Sequence, residues 1–288
     1  MSYSDRFRVK PRSRVDLKKV KTDDTGDLKD KVQAQTILTA AVARIAEAQE
    51  VLFAQNSRSV LIIFQAMDAA GKDSAVKHVF SGVNPRGVQV TSFGVPSKDE
   101  LDHDYLWRVV KALPSRGIIG VHNRSHYEEV LVVRVHPEFL DAQRLPDPTR
   151  GVALYRRRFR EINHFERYLV DNGTLVLKFF LHISKHEQWE RLTERMEDPQ
   201  KYWKSRPGDL QERLRWADYM AAYEDVFHHT SMASAPWFII PADHKWFVWV
   251  AVAEIINEAM AKLKLEYPGM PAGVREEWEQ AREQLRKA

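Results

Sequence analysis

The clearest chemical signal in the sequence is a strand that leads through a glycine–lysine loop into a helix. Residues 59–64 (SVLIIF) are almost continuously apolar and rich in β-branched side chains, which is typical of a strand buried on both faces. Residues 66–74 (AMDAAGKDS) follow and are similar to the phosphate-binding pattern GxxxxGKS or GxxxxGKT. In that pattern, backbone N–H groups hold phosphate oxygens while the lysine neutralises their charge. The spacing predicts phosphate or nucleotide binding by Ala69, Ala70, Gly71, Lys72, Asp73 and Ser74.

Acidic residues in this loop point to a metal ion. Ala66 replaces the first glycine of the pattern, and Asp73 stands where Ser or Thr usually holds magnesium. Asp68 is unusual too, because a carboxylate repels phosphates unless a cation lies between them. We therefore expect Asp68 and Asp73 to hold Mg²⁺, with Mn²⁺ as an alternative metal. The simpler alternative is a turn of small residues followed by a surface lysine.

A second polar turn follows another predicted strand, residues 117–122 (GIIGVH). Asn123 comes first after this strand and could bind magnesium through its carbonyl oxygen or through water. Arg124 comes next and could clamp a phosphate in a bidentate fork. The alternative is a polar loop in which Arg124 and Glu128 form a local ion pair. In a parallel sheet, ligands bind beyond the carboxyl ends of the strands, where both turns are expected to lie.

The elements that must position these turns alternate along the chain. Such alternation predicts one α/β domain with a parallel sheet covered on both faces. Strands are predicted over 59–64, 88–93, 117–122, 174–183 and 237–242. Helices are predicted over 29–56, from about 71, and over 99–113, 151–171, 185–197, 209–229 and 246–265. We place a flexible basic arm at 1–28, a single domain at 29–268 and a helical tail at 269–288.

Composition limits the class of protein. The chain has 288 residues, a formal net charge of +4 and no cysteine, so disulfides and thiolate chemistry are excluded. No apolar run approaches the ~20 residues that span a bilayer, and we expect a cytoplasmic protein without a membrane partner. Basic residues concentrate at 5–21 and 155–160, which suits an anionic partner such as phosphate or a nucleotide. A solvated surface face is an equally good explanation of either cluster.

Several long motifs together resemble the polyphosphate kinase 2 family. They are AMDAAGKDSAVKHVFSGVNPRGVQVTSFGVPS, HNRSHYEEVLVVRVHP, LKFFLHISKHEQWERLTERMEDPQKYWKSRPGDL and APWFIIPADHKWF, in that order. The resemblance implies a thymidylate-kinase-like fold, a P-loop three-layer sandwich with a parallel sheet and a helical lid at about 185–229. It also implies a homo-oligomer, either a dimer or a tetramer.

The activity implied by the resemblance is transfer of the terminal phosphoryl group of inorganic polyphosphate to a nucleotide, with Mg²⁺. Asn123 and Glu128 stand where many members have Asp and Asn. This variant resembles the third class, whose members convert both AMP to ADP and ADP to ATP. We expect catalytic roles for Asp68, Lys72, Arg124 and Arg191. Substrate binding is expected to involve Asn123, Glu128 and the lid residues Arg195, Lys201 and Lys204.

The path of the polyphosphate chain and two rival functions stay open. Arg156–Arg160, Lys77 and the basic arm are candidates for the path, and Trp203 for base stacking. One rival is an ATP-dependent nucleoside monophosphate kinase, which Ala66 and Asp73 disfavour. The other is a non-catalytic module that binds polyanions. No nucleic-acid partner is expected.

Overall fold

A parallel sheet forms the centre of the protein. The computed structural model describes residues 2–146, 150–204, 207–271 and 273–287. Its strands are β1 (Ser59–Ala66), β2 (Val88–Ser92), β3 (Ile119–Asn123), β4 (Thr174–His182) and β5 (Trp237–Pro241). They pair in parallel in the order β2-β3-β1-β4-β5. This order places β1 at the centre and brings the carboxyl ends of β1 and β3 side by side.

Helices connect the strands. Over the described residues they are α1 (Tyr3–Phe7), α2 (Lys31–Gln55), α3 (Lys72–Val79), α4 (Lys98–Leu101), α5 (Trp107–Lys111), α6 (Val132–Val135), α7 (Val152–Asp171), α8 (Lys185–Glu197), α9 (Pro207–Leu214), α10 (Trp216–Thr230), α11 (Lys245–Ala261) and α12 (Val274–Lys287). None of these helices combines the length and the apolar composition needed to cross a membrane. Short 3₁₀ segments include His126–Val130 and Tyr202–Lys204.

The sheet is buried between two helical layers. Strand β1 is buried along almost its whole length, because both of its faces are covered. Helices α2, α3 and α11 pack together in one layer, and α7 packs with α10 in the other. The α/β sandwich with a parallel sheet is therefore confirmed.

Two helices predicted as continuous are each interrupted. The helix predicted over 99–113 is α4 and α5, because the side chain of Asp104 accepts from the backbone N–H of Leu106 (2.9 Å) and forms a turn. The helix predicted over 209–229 is α9 and α10. Helix α10 buries Tyr223 and Phe227 in the core, whereas α9 turns toward α8. A local turn thus decides the first break, and tertiary contacts decide the second.

The basic N-terminal segment, residues 2–28, packs against the domain, which differs from the expected flexible arm. Phe7, Val9 and Leu17 are buried. The backbone N–H of Val9 donates to the carbonyl of Trp237 (2.9 Å) at the edge of the sheet. Burial of these apolar side chains offsets the cost of ordering a charged segment.

Candidate active site

The glycine–lysine loop joins β1 to α3, in the predicted order of strand, loop and helix. Gly71 adopts φ 106°, a left-handed conformation that glycine reaches without steric cost, and it caps the start of α3. Ala69 is also left-handed, with φ 63°, which is uncommon for a residue with a Cβ. The sharp reversal places Lys72 at the first position of the helix, beside the loop.

Lys72 lies over the loop as a half-buried cation. Its Nζ donates to the carbonyl of Ala66 (3.0 Å). Removal of water lowers the pKa of Lys72 to about 8, and the nearby charge of Arg124 adds to the shift, while Asp68 and other acids oppose it. The side chain therefore still carries positive charge at neutral pH, as a phosphate ligand requires.

Arg124 links the second turn to the loop. The residue is left-handed, with φ 66°, and its backbone N–H donates to the carbonyl of Phe64 (3.0 Å). Its Nη2 donates to Asp68 Oδ1 (3.0 Å), and its Nη1 lies 3.7 Å from Glu128 Oε2. Burial raises the pKa of Glu128, although the positive charges of Arg124 and Lys72 counteract this effect. Arg124 therefore forms the expected local ion pair with Glu128 and also contacts the glycine–lysine loop through Asp68.

Asn123 ties β3 to the start of α3. Its Nδ2 donates to Asp73 Oδ1, while its own Oδ1 is shielded from solvent and has no protein partner in the described structure. The second oxygens of Asp68 and Asp73 also accept no protein hydrogen bond there. One or two carboxylates with water and substrate oxygens satisfy Mg²⁺, so this donor set fits the expected ion. The described residues contain no cluster of three or more His, Cys, Asp or Glu side chains that could hold a metal ion.

Arg191 is buried beneath the loop, where all five of its N–H groups donate to protein oxygens. Nε donates to Glu187 at 2.8 Å. The other four reach the carbonyls of Ala69 (3.1 Å), Ala70 (3.0 Å), Ala242 (2.7 Å) and Asp243 (2.9 Å). This side chain clamps the loop to the segment that follows β5.

The other lid cations lie in ion pairs at the rim. Arg195 Nη1 lies 3.6 Å from Asp209 Oδ2. Lys201 Nζ is 2.7 Å from Glu194 and 2.9 Å from Asp198. The Lys204 side chain lies outside the described residues. The pair of Lys201 with Glu194 is the more exposed of these, and exposed ion pairs contribute little to stability.

Two neighbouring cavities converge on Arg124. The larger one, about 580 Å³, lies over the loop, and among its lining residues are Lys72, Arg124, Arg191, Arg195, Lys201 and Lys245. The smaller one, about 230 Å³, is mainly apolar, and Tyr105, Val132, Val133 and Phe139 are among its lining residues. Gly94, Val95 and Arg124 line both cavities. A charged cleft and an apolar pocket therefore share a wall at one arginine.

Some of the candidate residues lie elsewhere. Arg158, in the predicted polyphosphate path, is buried in ion pairs with Glu129 (3.1 Å) and Glu161 (3.0 Å). Neither the cluster at 156–160 nor Lys77 lines the cleft. Trp203 does line it and is 78% exposed.

The sequence did not single out Gln188 or Lys245. Gln188 Nε2 donates to the backbone carbonyl of Asp68 (3.0 Å), and Lys245 lines the cleft from the start of α11. Both positions follow a strand after a short turn. The rule that parallel sheets bind ligands beyond the carboxyl ends of their strands could have pointed to both residues.

Comparison with known proteins identifies the family of this chain. A model of the family described as polyphosphate kinase 2 matches residues 27–268. The chain belongs to the polyphosphate kinase 2 family. The ADP-polyphosphate phosphotransferase of Rhodopseudomonas palustris is 46% identical over 282 residues, covering 98% of both chains. The AMP/ADP-polyphosphate phosphotransferase of Meiothermus ruber is 45% identical over 264 residues, covering 91% of this chain and 95% of that protein.

A solved member of the family has the same fold. The crystal structure of polyphosphate kinase 2 from Arthrobacter aurescens superposes with a TM-score of 0.89 at 40% identity, covering 98% of this chain and 97% of that one. The predicted family and its P-loop kinase-like α/β fold are therefore confirmed. The chain is accordingly a transferase.

Proposed function

We propose that the protein transfers the terminal phosphoryl group of inorganic polyphosphate to AMP and to ADP, forming ADP and ATP. The observation that carries the proposal is the wall that Arg124 forms between a charged cleft and an apolar pocket. The cleft suits a chain of phosphates, and the pocket suits the base and ribose of a nucleotide. The acceptor phosphate would then meet the donor chain beside Arg124. The names of both relatives agree with polyphosphate and ADP as substrates, and that of the Meiothermus ruber protein also agrees with AMP.

Transfer needs positioning and charge neutralisation more than covalent chemistry by the protein. An oxygen of the acceptor phosphate attacks the terminal phosphorus, and the bond from that phosphorus to the bridging oxygen breaks, which leaves a shortened polyphosphate. Lys72 and the loop N–H groups hold the donor phosphates. Arg124 neutralises charge on the transferred group, since its guanidinium can exchange Asp68 for phosphate oxygens.

The residues that would hold Mg²⁺ are Asp68 and Asp73, through the oxygens that have no hydrogen bond to protein. When bound, the ion would screen the negative charges of donor and acceptor oxygens. Asn123 holds Asp73 in place by its amide hydrogen bond. Arg191, with every N–H already engaged, would act by holding Ala69 and Ala70 in the left-handed turn rather than by contacting substrate.

Acceptor choice would be set at Glu128, which lines the apolar pocket beside Arg124. ADP brings one more phosphate than AMP, so its nucleoside must sit one phosphate further from the donor. The Glu128 carboxylate lies 3.7 Å from Arg124 at the wall that the two cavities share, where the acceptor phosphate of either nucleotide would lie. We assign Asn123 and Glu128 to this dual use.

The deciding experiment supplies Mg²⁺, long-chain polyphosphate and either AMP or ADP, without ATP, and quantifies the nucleotides formed. We expect ADP and ATP from AMP, and ATP from ADP. Formation of ATP from ADP, without any product from AMP, would refute the proposed activity on AMP but support polyphosphate as the donor. Turnover of ATP with AMP, but none with polyphosphate, would establish the monophosphate-kinase rival instead.

A further inference from the structure

A second basic cavity lies outside the active site, between the N-terminal segment and the edge strand β5. Its volume is about 450 Å³, and Ile239 and Pro241 of β5 form one wall. The charged residues among its described lining are five cations and one acid: Arg6, Arg8, Lys10, Lys19, Lys21 and Asp24. The cavity is thus strongly electropositive, although the protein as a whole carries only +4.

Part of this positive charge is not neutralised by the protein. Arg6 pairs with Asp24 at 2.8 Å, and Lys19 lies 3.3 Å from Asp16. Lys10 and Lys21 are exposed, and neither ammonium forms a hydrogen bond or ion pair within the part of the chain that the structure describes.

Arg8 adds a third uncompensated charge. It donates from Nη2 only to a backbone carbonyl, that of Ala233 (2.7 Å). Its Nε is shielded from solvent and has no partner among the described residues. Three cations therefore face the cavity without a carboxylate of their own.

The cavity runs along β5: its Lys21 end lies near the carboxyl end of the strand, on the side of the active site, while Arg8 and Lys10 lie toward the amino end. Lys21 precedes Thr22, whose carbonyl accepts the backbone N–H of Asp243 (3.0 Å) and whose hydroxyl donates to the Asp243 carboxylate (2.7 Å). The carbonyl of Asp243 accepts in turn from Arg191, which clamps the loop. A groove of about 390 Å³ adjoins the cleft on this side, and it shares Arg191 and Lys245 with the cleft.

We propose that this N-terminal cavity is a second binding site for inorganic polyphosphate, which holds a segment of the chain remote from its reacting end. The inference rests on the proposed function. A chain bound in the cleft presents its further phosphates to the cavity at high effective concentration, so a long polymer gains a contact that a short one cannot reach. Phosphates on unpaired ammonium groups also release counterions, which strengthens binding at low salt.

The lining favours a polyanion without bases over a nucleic acid. Phe7 is the one aromatic residue among the described lining residues, and it is buried. Proteins that bind single-stranded nucleic acids offer exposed aromatic rings on which bases stack. Here the accessible groups are ammonium and guanidinium cations, which suit phosphate oxygens and offer no aromatic ring on which a base could stack.

The test compares two double variants of the full-length protein with equal loss of charge. Lys10→Ala with Lys21→Ala removes the two unpaired ammonium groups of the cavity. Arg14→Ala with Lys18→Ala is the control, because both residues are exposed on the same segment and do not line the cavity. Thermal unfolding establishes that both variants are folded.

We expect the first variant to raise the KM for long-chain polyphosphate about fivefold, with kcat and the KM for tripolyphosphate unchanged. The control keeps wild-type values. An equal rise in both variants would overturn the site, because the effect would then be one of net charge. An unchanged KM in the first variant would overturn it as well.

Direct binding separates this inference from the proposed function. Filter binding of radiolabelled long-chain polyphosphate needs no turnover. If the wild-type protein is inactive, the proposed function is refuted. A loss of polyphosphate binding in the first variant would still support the second binding site, and unchanged binding would refute it. An RNA of matched charge serves as competitor. If the wild type prefers RNA and the first variant loses that preference, the cavity binds nucleic acid and the proposal is wrong.

Discussion

At the scale of single residues, the site depends on two cations held at adjacent strand ends. Lys72 comes from the turn after β1, and Arg124 from the turn after β3. Both are kept close to acids: Arg124 bonds Asp68, and the pKa of Lys72 falls to about 8 because burial outweighs the nearby carboxylates. In the proposed transfer, donors held in this way would stabilise charge that develops in the transition state.

Lys72→Ala is expected to lower kcat by ~10²–10³, the usual cost of removing one preorganised donor. Lys77→Ala is the matched control, because Lys77 is exposed on the same helix and does not line the cleft. Steady-state rates with saturating ADP and polyphosphate measure the effect. Near-normal turnover by the Lys72 variant would show that the loop binds phosphate without helping transfer.

At the scale of elements, local patterns predicted the turns but not what holds them. Strand, loop and helix around Lys72 could be predicted because each depends on neighbouring residues in the sequence. The position of Arg191 under the loop depends on β5 and α8 being adjacent in space, and no local pattern carries that information. Local sequence also gave no sign that Arg158, in the cluster at 156–160, would form an ion pair with Glu129 on a distant turn.

Arg191→Lys is expected to reduce kcat about tenfold and to destabilise the fold by about 1–3 kcal/mol. A lysine has three N–H donors on one nitrogen, so it cannot serve carbonyls on both the loop and the segment after β5, which leaves buried oxygens unpaired. Small displacements of the loop then cost rate. Arg167→Lys, at an exposed arginine of α7 that does not line the cleft, is the control, and urea unfolding with kinetics is the measurement. Normal kcat together with lost stability would limit Arg191 to a structural role.

At the scale of the whole molecule, a buried charge network joins the sheet to the layer that contains α7 and α10. Lys178 on β4 donates to Glu166 of α7 (2.5 Å), to Tyr127 beside the second turn (3.0 Å) and to the carbonyl of Thr230 at the end of α10 (2.9 Å). Lys178 and Glu166 are both completely buried. The network therefore fixes the second turn relative to α7 and α10.

Lys178→Met is expected to destabilise the protein by about 3–5 kcal/mol, because the buried charge of Glu166 would lose its ammonium partner and keep only the hydrogen bond from Tyr127 and the nearby ring of His126. Adding Glu166→Gln removes that charge and should recover part of the loss. Urea unfolding of the wild type, the single variant and the double variant measures the coupling. Equal stability of the single and double variants would contradict the assignment of an ion pair.

Acid sensitivity of the whole fold follows from buried histidines. Burial lowers the pKa of His122, on β3, to about 4, although its hydrogen bond with the carbonyl of Ala112 opposes the shift. Between pH 6.5 and 4 the unfolded chain therefore binds a proton that the folded protein does not, and the free energy of unfolding falls as the pH falls. Burial also lowers the pKa of His182, so this histidine adds to the loss of stability in acid.

Replacing His122 should remove its share of this pH dependence. From pH 7 to pH 5, linkage gives a loss of about 2 kcal/mol for His122 alone. His122→Gln should reduce the pH-dependent loss by that amount, and His103→Gln, at an exposed histidine, should leave it unchanged. Urea unfolding at both pH values measures each loss. If the wild type and His122→Gln lose stability in parallel, His122 does not stay neutral in the folded state, and the acid sensitivity must come from other groups, such as His182.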